Sequence, residues 1–240
     1  MKTIILLVVI IIIAYFGYEA IRIRGLIRVS SGMVQRAVPY QSGSGIQSIL
    51  VIGDSTAVGV GSDAIEHSVA GRLGAFFEAR VENHAVSGSV TADMEGQLKK
   101  AQAPHYDLIV IHTGANDIVQ FHSLAAANTQ LDALLKHAHT LSDRVVVITA
   151  GKVGEAPLFP QLFGWIWNWR ARILRAHFID TTSREGAVYI DLYNGPDPFS
   201  KDPAKYYGAD TFHPSQYGYE VWFDQMKAGI LARWPELAHE

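Results

Sequence analysis

Hydrophobic and polar positions fall along this chain in two alternating patterns. Short segments at 49–52, 81–86, 107–112, 144–150 and 187–192 read as strands, continuously apolar at 49–52, 108–111 and 145–148, and the first three lead into glycine-containing polar turns. Between the runs, apolar residues recur at three- and four-residue spacing and predict helices over 64–80, 91–102, 124–141, 165–184 and 215–234. Runs without in–out alternation suit strands buried on both faces of a sheet. Strand–helix alternation then predicts right-handed βαβ crossovers, one parallel sheet and helices on both faces. Sheets of this kind gather their chemistry at the carboxyl ends of the strands.

The amino terminus follows a third pattern. Residues 3–18 carry no charge, and 4–16 are apolar throughout. At 1.5 Å per residue the uncharged run spans about 24 Å, short of a ~30 Å hydrocarbon core unless Ala20, Ile21 and snorkelling arginines extend it. A cleaved signal peptide is the competing reading. No small-x-small cleavage site follows, however, and Glu19, Arg22, Arg24 and Arg28 come next. A retained single-pass membrane anchor over 1–24 is therefore expected. Lys2 and the free amino group oppose the three arginines; by the positive-inside rule the excess leans toward a cytoplasmic carboxyl-terminal domain, but with so short a tail it leaves the membrane side unassigned. Residues 25–46 contain Ser30-Ser31-Gly32 and Ser42-Gly43-Ser44-Gly45, a composition that suits a flexible linker to one domain over 47–240.

Composition narrows the function classes. With 240 residues and 49% hydrophobic content, the chain can bury one full-sized core. A formal charge of −3 and the lack of a basic stripe argue against nucleic acid as a partner. No cysteine is present, so disulfides, thiolate nucleophiles and cysteine metal sites are excluded together. Gly59-Val60-Gly61 begins too far past its strand for a dinucleotide turn, and His137-Ala138-His139 has the wrong spacing for one helical face. No metal or organic cofactor is expected.

Four short blocks carry candidate chemistry. Ser55, at the end of the first strand, is either a nucleophile or a helix cap. Asp210-Thr211-Phe212-His213 places a carboxylate within one turn of an imidazole, where it can fix the ring's tautomer; a surface ion pair is the plainer reading. A serine hydroxyl needs a base such as His213 to take its proton. The backbone N–H groups of Ser55 and Gly88, with the side-chain amide of Asn116, are candidate donors to an oxyanion. Taken singly, Gly88 reads as a turn glycine and Asn116 as a loop residue.

In order and context, Gly53-Asp54-Ser55, Gly88, Gly114-Ala115-Asn116-Asp117 and Asp210-Thr211-Phe212-His213 closely resemble the blocks of the SGNH/GDSL hydrolase family. The likeness runs from about residue 49 to 222. It implies a flavodoxin-like three-layer α/β/α sandwich with a five-stranded parallel sheet of order 2-1-3-4-5. It also implies esterase- or lipase-type acyl transfer through a serine ester, without metal or organic cofactor. By this resemblance Ser55 is the nucleophile, His213 the base and Asp210 its orienter, while Ser55, Gly88 and Asn116 form the oxyanion hole. Thr56 departs from the leucine of the family's four-letter name and lies outside the reacting set.

Residues 157–169 pack five large aromatics into a loop and helix start. Plain core is one reading; a wall of the acyl pocket, with Trp165 and Trp167 binding substrate, or a rest on the bilayer is the other. The expected function is a membrane-anchored esterase acting on a lipid, glycan or small-molecule ester. An acyltransferase with the same site and a catalytically silent tethered binding module are the alternatives.

Overall fold

A computed structural model describes residues 1–238; His239 and Glu240, the end of the expected 47–240 domain, lie outside it. The chain opens with helix α1 (Lys2–Arg36), followed by β1 (Gln47–Gly53), α2 (Ser55–Val58), α3 (Val69–Phe76), β2 (Ala79–Asn83) and α4 (Met94–Leu98). It continues with β3 (Leu108–His112), α5 (Ala115–Val119), α6 (Leu124–Ala138), β4 (Val145–Ile148) and α7 (Gly164–Glu185). The last elements are β5 (Val188–Ile190), α8 (Pro203–Tyr206) and α9 (Gln216–Arg233).

The five strands are parallel and lie in the order β2-β1-β3-β4-β5, as the resemblance implied. The continuous apolar runs of β1, β3 and β4 follow from burial on both faces. Ile49 and Val51 of β1, with Leu108 and Val110 of β3, join a core closed by α3 and α9. Their neighbours Leu50, Ile52, Ile109 and Ile111 face the opposite way, into a core closed by α4, α6 and α7. A strand with both faces covered has no solvent side on which to place polar residues.

The strand order also makes the crevice. From β1 the chain passes outward to β2 and returns to β3 on the other side, so the loops after β1 and β3 part at the sheet's carboxyl edge. Ser55 follows the first of these strands, and Asn116 follows the other. Gly53 closes β1 with φ 155°, where an added Cβ would stand 2.7 Å from both Ala57 Cβ and the His112 carbonyl oxygen. Only glycine lets β1 turn here while packed against β3.

Several elements differ from the sequence reading. The helix expected over 64–80 is broken at Ser68, whose hydroxyl accepts the Gly71 N–H and caps α3. Gly114-Ala115-Asn116-Asp117, read as a loop, is the start of α5, with Gly114 in the left-handed region at φ 94°. The stretch 25–46 differs most, because α1 runs unbroken through Arg36. One stripe of α1, including Tyr15, Glu19, Arg22, Leu26, Ser30 and Met33, is half-buried at helical spacing, so packing overrides the helix-weakening Ser-Ser-Gly. Beyond the helix, Tyr40 packs on the core and Ser42 pairs with Val81.

Replacing Gly53 by alanine is expected to destabilise the domain by roughly 1–3 kcal/mol from backbone strain alone, with the steric cost added. Urea unfolding of the two proteins side by side measures the loss.

Candidate active site

Asp54 sets the conformation of the first loop. Its carboxylate accepts the backbone N–H of Thr56 at 2.8 Å and the Thr56 hydroxyl at 2.7 Å, capping α2 and holding Ser55 at the helix's first position. No carbonyl or side chain among the described residues accepts the N–H of Ser55 or that of Gly88.

The histidine comes from the far end of the chain. Tyr207 and Pro214 form an antiparallel bridge, and the Gly208 N–H donates to the His213 carbonyl at 2.7 Å, pinching 207–214 into a tight turn. Thr211 adopts φ 58° within it. Asp210 Oδ1 accepts the backbone N–H groups of Phe212 (3.1 Å) and His213 (3.0 Å), and Oδ2 lies 2.5 Å from His213 Nδ1. His213 Nε2 then stands 2.8 Å from Ser55 Oγ. The three side chains are buried. Burial pushes the Asp210 carboxyl up, but the hydrogen bond and charge of His213 and the two N–H donors outweigh it and hold the group below its ordinary value.

Asn116 occupies the second position of α5, and its side-chain amide donates to the Ser89 carbonyl at 2.9 Å. The same nitrogen has a second hydrogen to offer. Arg170 of α7 grips the other end of this short helix, donating to the carbonyls of Asp117 (2.9 Å), Ile118 (3.1 Å) and His122 (2.6 Å). A cleft runs beside Ser55, Asn116 and His213. Its walls are largely apolar, with Val153, Ala156, Leu192, Phe199, Phe212 and Trp222 among them. Lys152 also lines it, 3.5 Å from Asp197 and 3.8 Å from Glu155. Among the described residues no group of three or more histidines and carboxylates is placed to hold a metal.

Two sequence expectations do not meet this cleft. Trp165 is 66% exposed, and neither it nor Trp167 is among the lining residues. Trp167 points from the inner side of α7 onto Phe159, with ring centroids 4.4 Å apart, because the helical period sends residues two apart to opposite sides. Gly88 is exposed and lines a neighbouring depression with Ser87 and Lys100; Asn116 reaches only the next residue's carbonyl.

A buried polar layer beneath the site escaped the sequence reading. Gln97 accepts the Gly53 N–H at 2.7 Å and donates to the Gly53 carbonyl (2.9 Å) and the Ser89 hydroxyl (3.0 Å), tying β1 to the second loop. Thr56, set aside as a departure, links Asp54 to His112 Nδ1 at 3.2 Å. Because the Thr56 hydroxyl donates to Asp54, the ring proton of His112 sits on Nδ1. A polar residue two places after a buried aspartate was the available signal.

A profile of the GDSL-like Lipase/Acylhydrolase family matches residues 51–221. The chain belongs to this family. A GDSL-like esterase of Mycobacterium tuberculosis is 28% identical to this GDSL-family chain over 184 residues, which is 72% of the chain and 58% of the relative. The chain thus spans somewhat over half of that relative's length. Among solved structures, a lipolytic G-D-S-L family protein from Veillonella parvula superposes with a TM-score of 0.62 at 18% identity, covering 75% of this chain and 96% of that one. Phospholipase A1 from Streptomyces albidoflavus gives 0.61 at 17%, covering 76% and 99%. At such identities the likeness is one of fold.

Gln97→Leu is expected to cost about 1–3 kcal/mol, because the buried Gly53 N–H loses its acceptor; chemical unfolding measures it. Burial pushes His112 down from 6.5 to about 3. Between those pH values the unfolded chain holds a proton that the folded one lacks, so stability falls as pH drops from about 6.5 toward 3. His112→Asn should flatten that slope by about 1.4 kcal/mol per pH unit, read from unfolding midpoints at stepped pH.

Proposed function

We propose that this chain is a membrane-anchored serine ester hydrolase, with the anchor within residues 1–24 and the hydrolase domain from Gln47 onward. The observation that carries the reading is the 2.8 Å approach of His213 Nε2 to Ser55 Oγ, with Asp210 behind the ring. Support for the anchor is the exposed apolar half of α1, where an 18-residue window reaches a mean hydropathy of 2.6.

In this mechanism His213 Nε2 takes the Ser55 proton as Oγ attacks the ester carbonyl, and Asp210 stabilises the imidazolium that results. The tetrahedral oxyanion is met by the Ser55 N–H and the second amide hydrogen of Asn116. His213 returns the proton to the departing alcohol, leaving an acyl ester on Ser55. Water, deprotonated by the same nitrogen, then releases the acid and restores the serine. The apolar cleft walls suit the acyl portion of the substrate.

Hydrolysis of nitrophenyl esters from acetate to long-chain acyl by the full-length protein in detergent tests this. Ser55→Ala should abolish turnover. Asn116→Ala should lower the rate roughly a hundred- to a thousandfold, as removal of one oxyanion donor does, and Asp210→Asn on the order of ten-thousandfold. Equal activity of the wild type and Ser55→Ala would overturn the proposal. Product that forms only when a sugar hydroxyl is supplied would redefine the enzyme as an acyltransferase.

A further inference from the structure

The aromatic segment left outside the cleft lies against the apolar helix. Phe16 of α1 stacks on Phe163, with centroids 5.9 Å apart and planes 23° from parallel. Six residues along, Arg22 donates to the carbonyls of Pro157 (2.6 Å) and Leu158 (3.2 Å) while held by Glu19 at 2.6 Å. The helix is thus clamped to 157–163 where its uncharged run ends. Around this junction Leu162 (65%), Trp165 (66%) and Trp169 (51%) are exposed. On α7, Trp165 and Trp169 lie four apart on one outward face, which exposed Arg172 continues one turn further on, while Leu162 stands in the turn just before it.

We propose that Leu162, Trp165 and Trp169 are a bilayer-contacting pad that seats the domain on the membrane surface. The inference rests on the anchor reading of α1 and adds a second point of contact to it. The uncharged run of residues 3–18 spans about 24 Å against a ~30 Å hydrocarbon core, so its last residues lie near the headgroups. Those residues include Phe16, and the Phe16–Phe163 stack brings Phe163, with Leu162 and Trp165 beside it, to that depth. Indole rings favour that zone, and an arginine beside them matches lipid phosphate. Wall and pad belong to one segment: Ala156 lines the cleft, the Leu158 N–H donates to the Thr211 carbonyl at 3.2 Å, and Phe159 packs on Phe212. Seating the pad therefore holds the Asp210–His213 turn close to the lipid surface.

The test uses the full-length chain reconstituted into phosphatidylcholine–phosphatidylglycerol vesicles, with and without phospholipid brominated on its acyl chains. Tryptophan emission is compared between the wild type and the double variant Trp165→Phe, Trp169→Phe. The wild type should be quenched by bromine, and the variant should lose most of that quenching, because Trp222 and Trp234 are buried and Trp167 is half-buried against Phe159. Vesicle flotation is run in parallel. Equal quenching of both proteins, or none in a chain that floats, would overturn the pad while leaving the anchor intact. So would a stable dimer broken by the double variant, which would assign that face to a second copy. Failure of the wild type to float would remove the anchor reading and the pad with it.

Discussion

A hydrogen bond between Ser55 and His213, residues 158 apart in the chain, is the contact on which the arrangement of the site depends. Nothing local brings these groups together. The serine is held at the end of β1 by the Asp54 cap, and the histidine by a turn pinched between Tyr207 and Pro214 and leading into α9. Both supports pack on the same face of the sheet, where Tyr219 of α9 donates its hydroxyl to the Val60 carbonyl at 2.7 Å. Gly61 completes the fit, since a Cβ there would strike the Pro214 carbonyl. A shift in α9 against α2 thus changes the serine–histidine distance directly.

Beneath that contact lies an unusual concentration of buried polar side chains. Asp54, Asn83, Gln97, His112, Thr113 and Asp117 are all nearly sealed from water around the carboxyl ends of the first three strands. Each belongs to a hydrogen-bonded group. Asn83 bridges the Ala57 carbonyl and the Ala85 N–H, while Asp117 accepts the backbone and hydroxyl of Thr91. Buried polar groups are costly unless satisfied, and where satisfied they lock loops that apolar packing would leave adjustable. This rigidity suits a proposed mechanism in which oxyanion donors must stand ready before charge develops.

The helix α1 and the segment 157–169 extend the same economy of contact outward. Arg22 spends its guanidinium on main-chain carbonyls of the loop that walls the cleft, and Arg170 does the same for the short helix carrying Asn116. Arginine's planar fork suits several carbonyls at once. The element expected to cross or meet the membrane is in this way tied by Arg22 to the loop that walls the cleft.

The positions of β1, β3 and β4 were legible in the sequence because their cause is local, a strand covered on both faces being apolar without interruption; the sheet order came with the resemblance to the family. Ser55, Asn116, Asp210 and His213 were legible for the same reason, each sitting in a short block whose order matches the family. The roles of Thr56, Gln97, His112 and Arg170 were not, since their partners lie up to tens of residues away and no periodicity encodes them. For Trp165 and Trp167 composition leaves core, cleft wall and bilayer contact all open; the register of α7 separates them, turning one outward and the other onto Phe159. The stretch 25–46 reads as a linker from its serines and glycines, yet α1 continues to Arg36 because one of its faces packs on the domain. Sequence alone determined which residues are candidates for the chemistry and which strands present them. Only the tertiary structure decided which side chains meet across the cleft and which face the outside, because burial and hydrogen bonding between distant segments override local propensity.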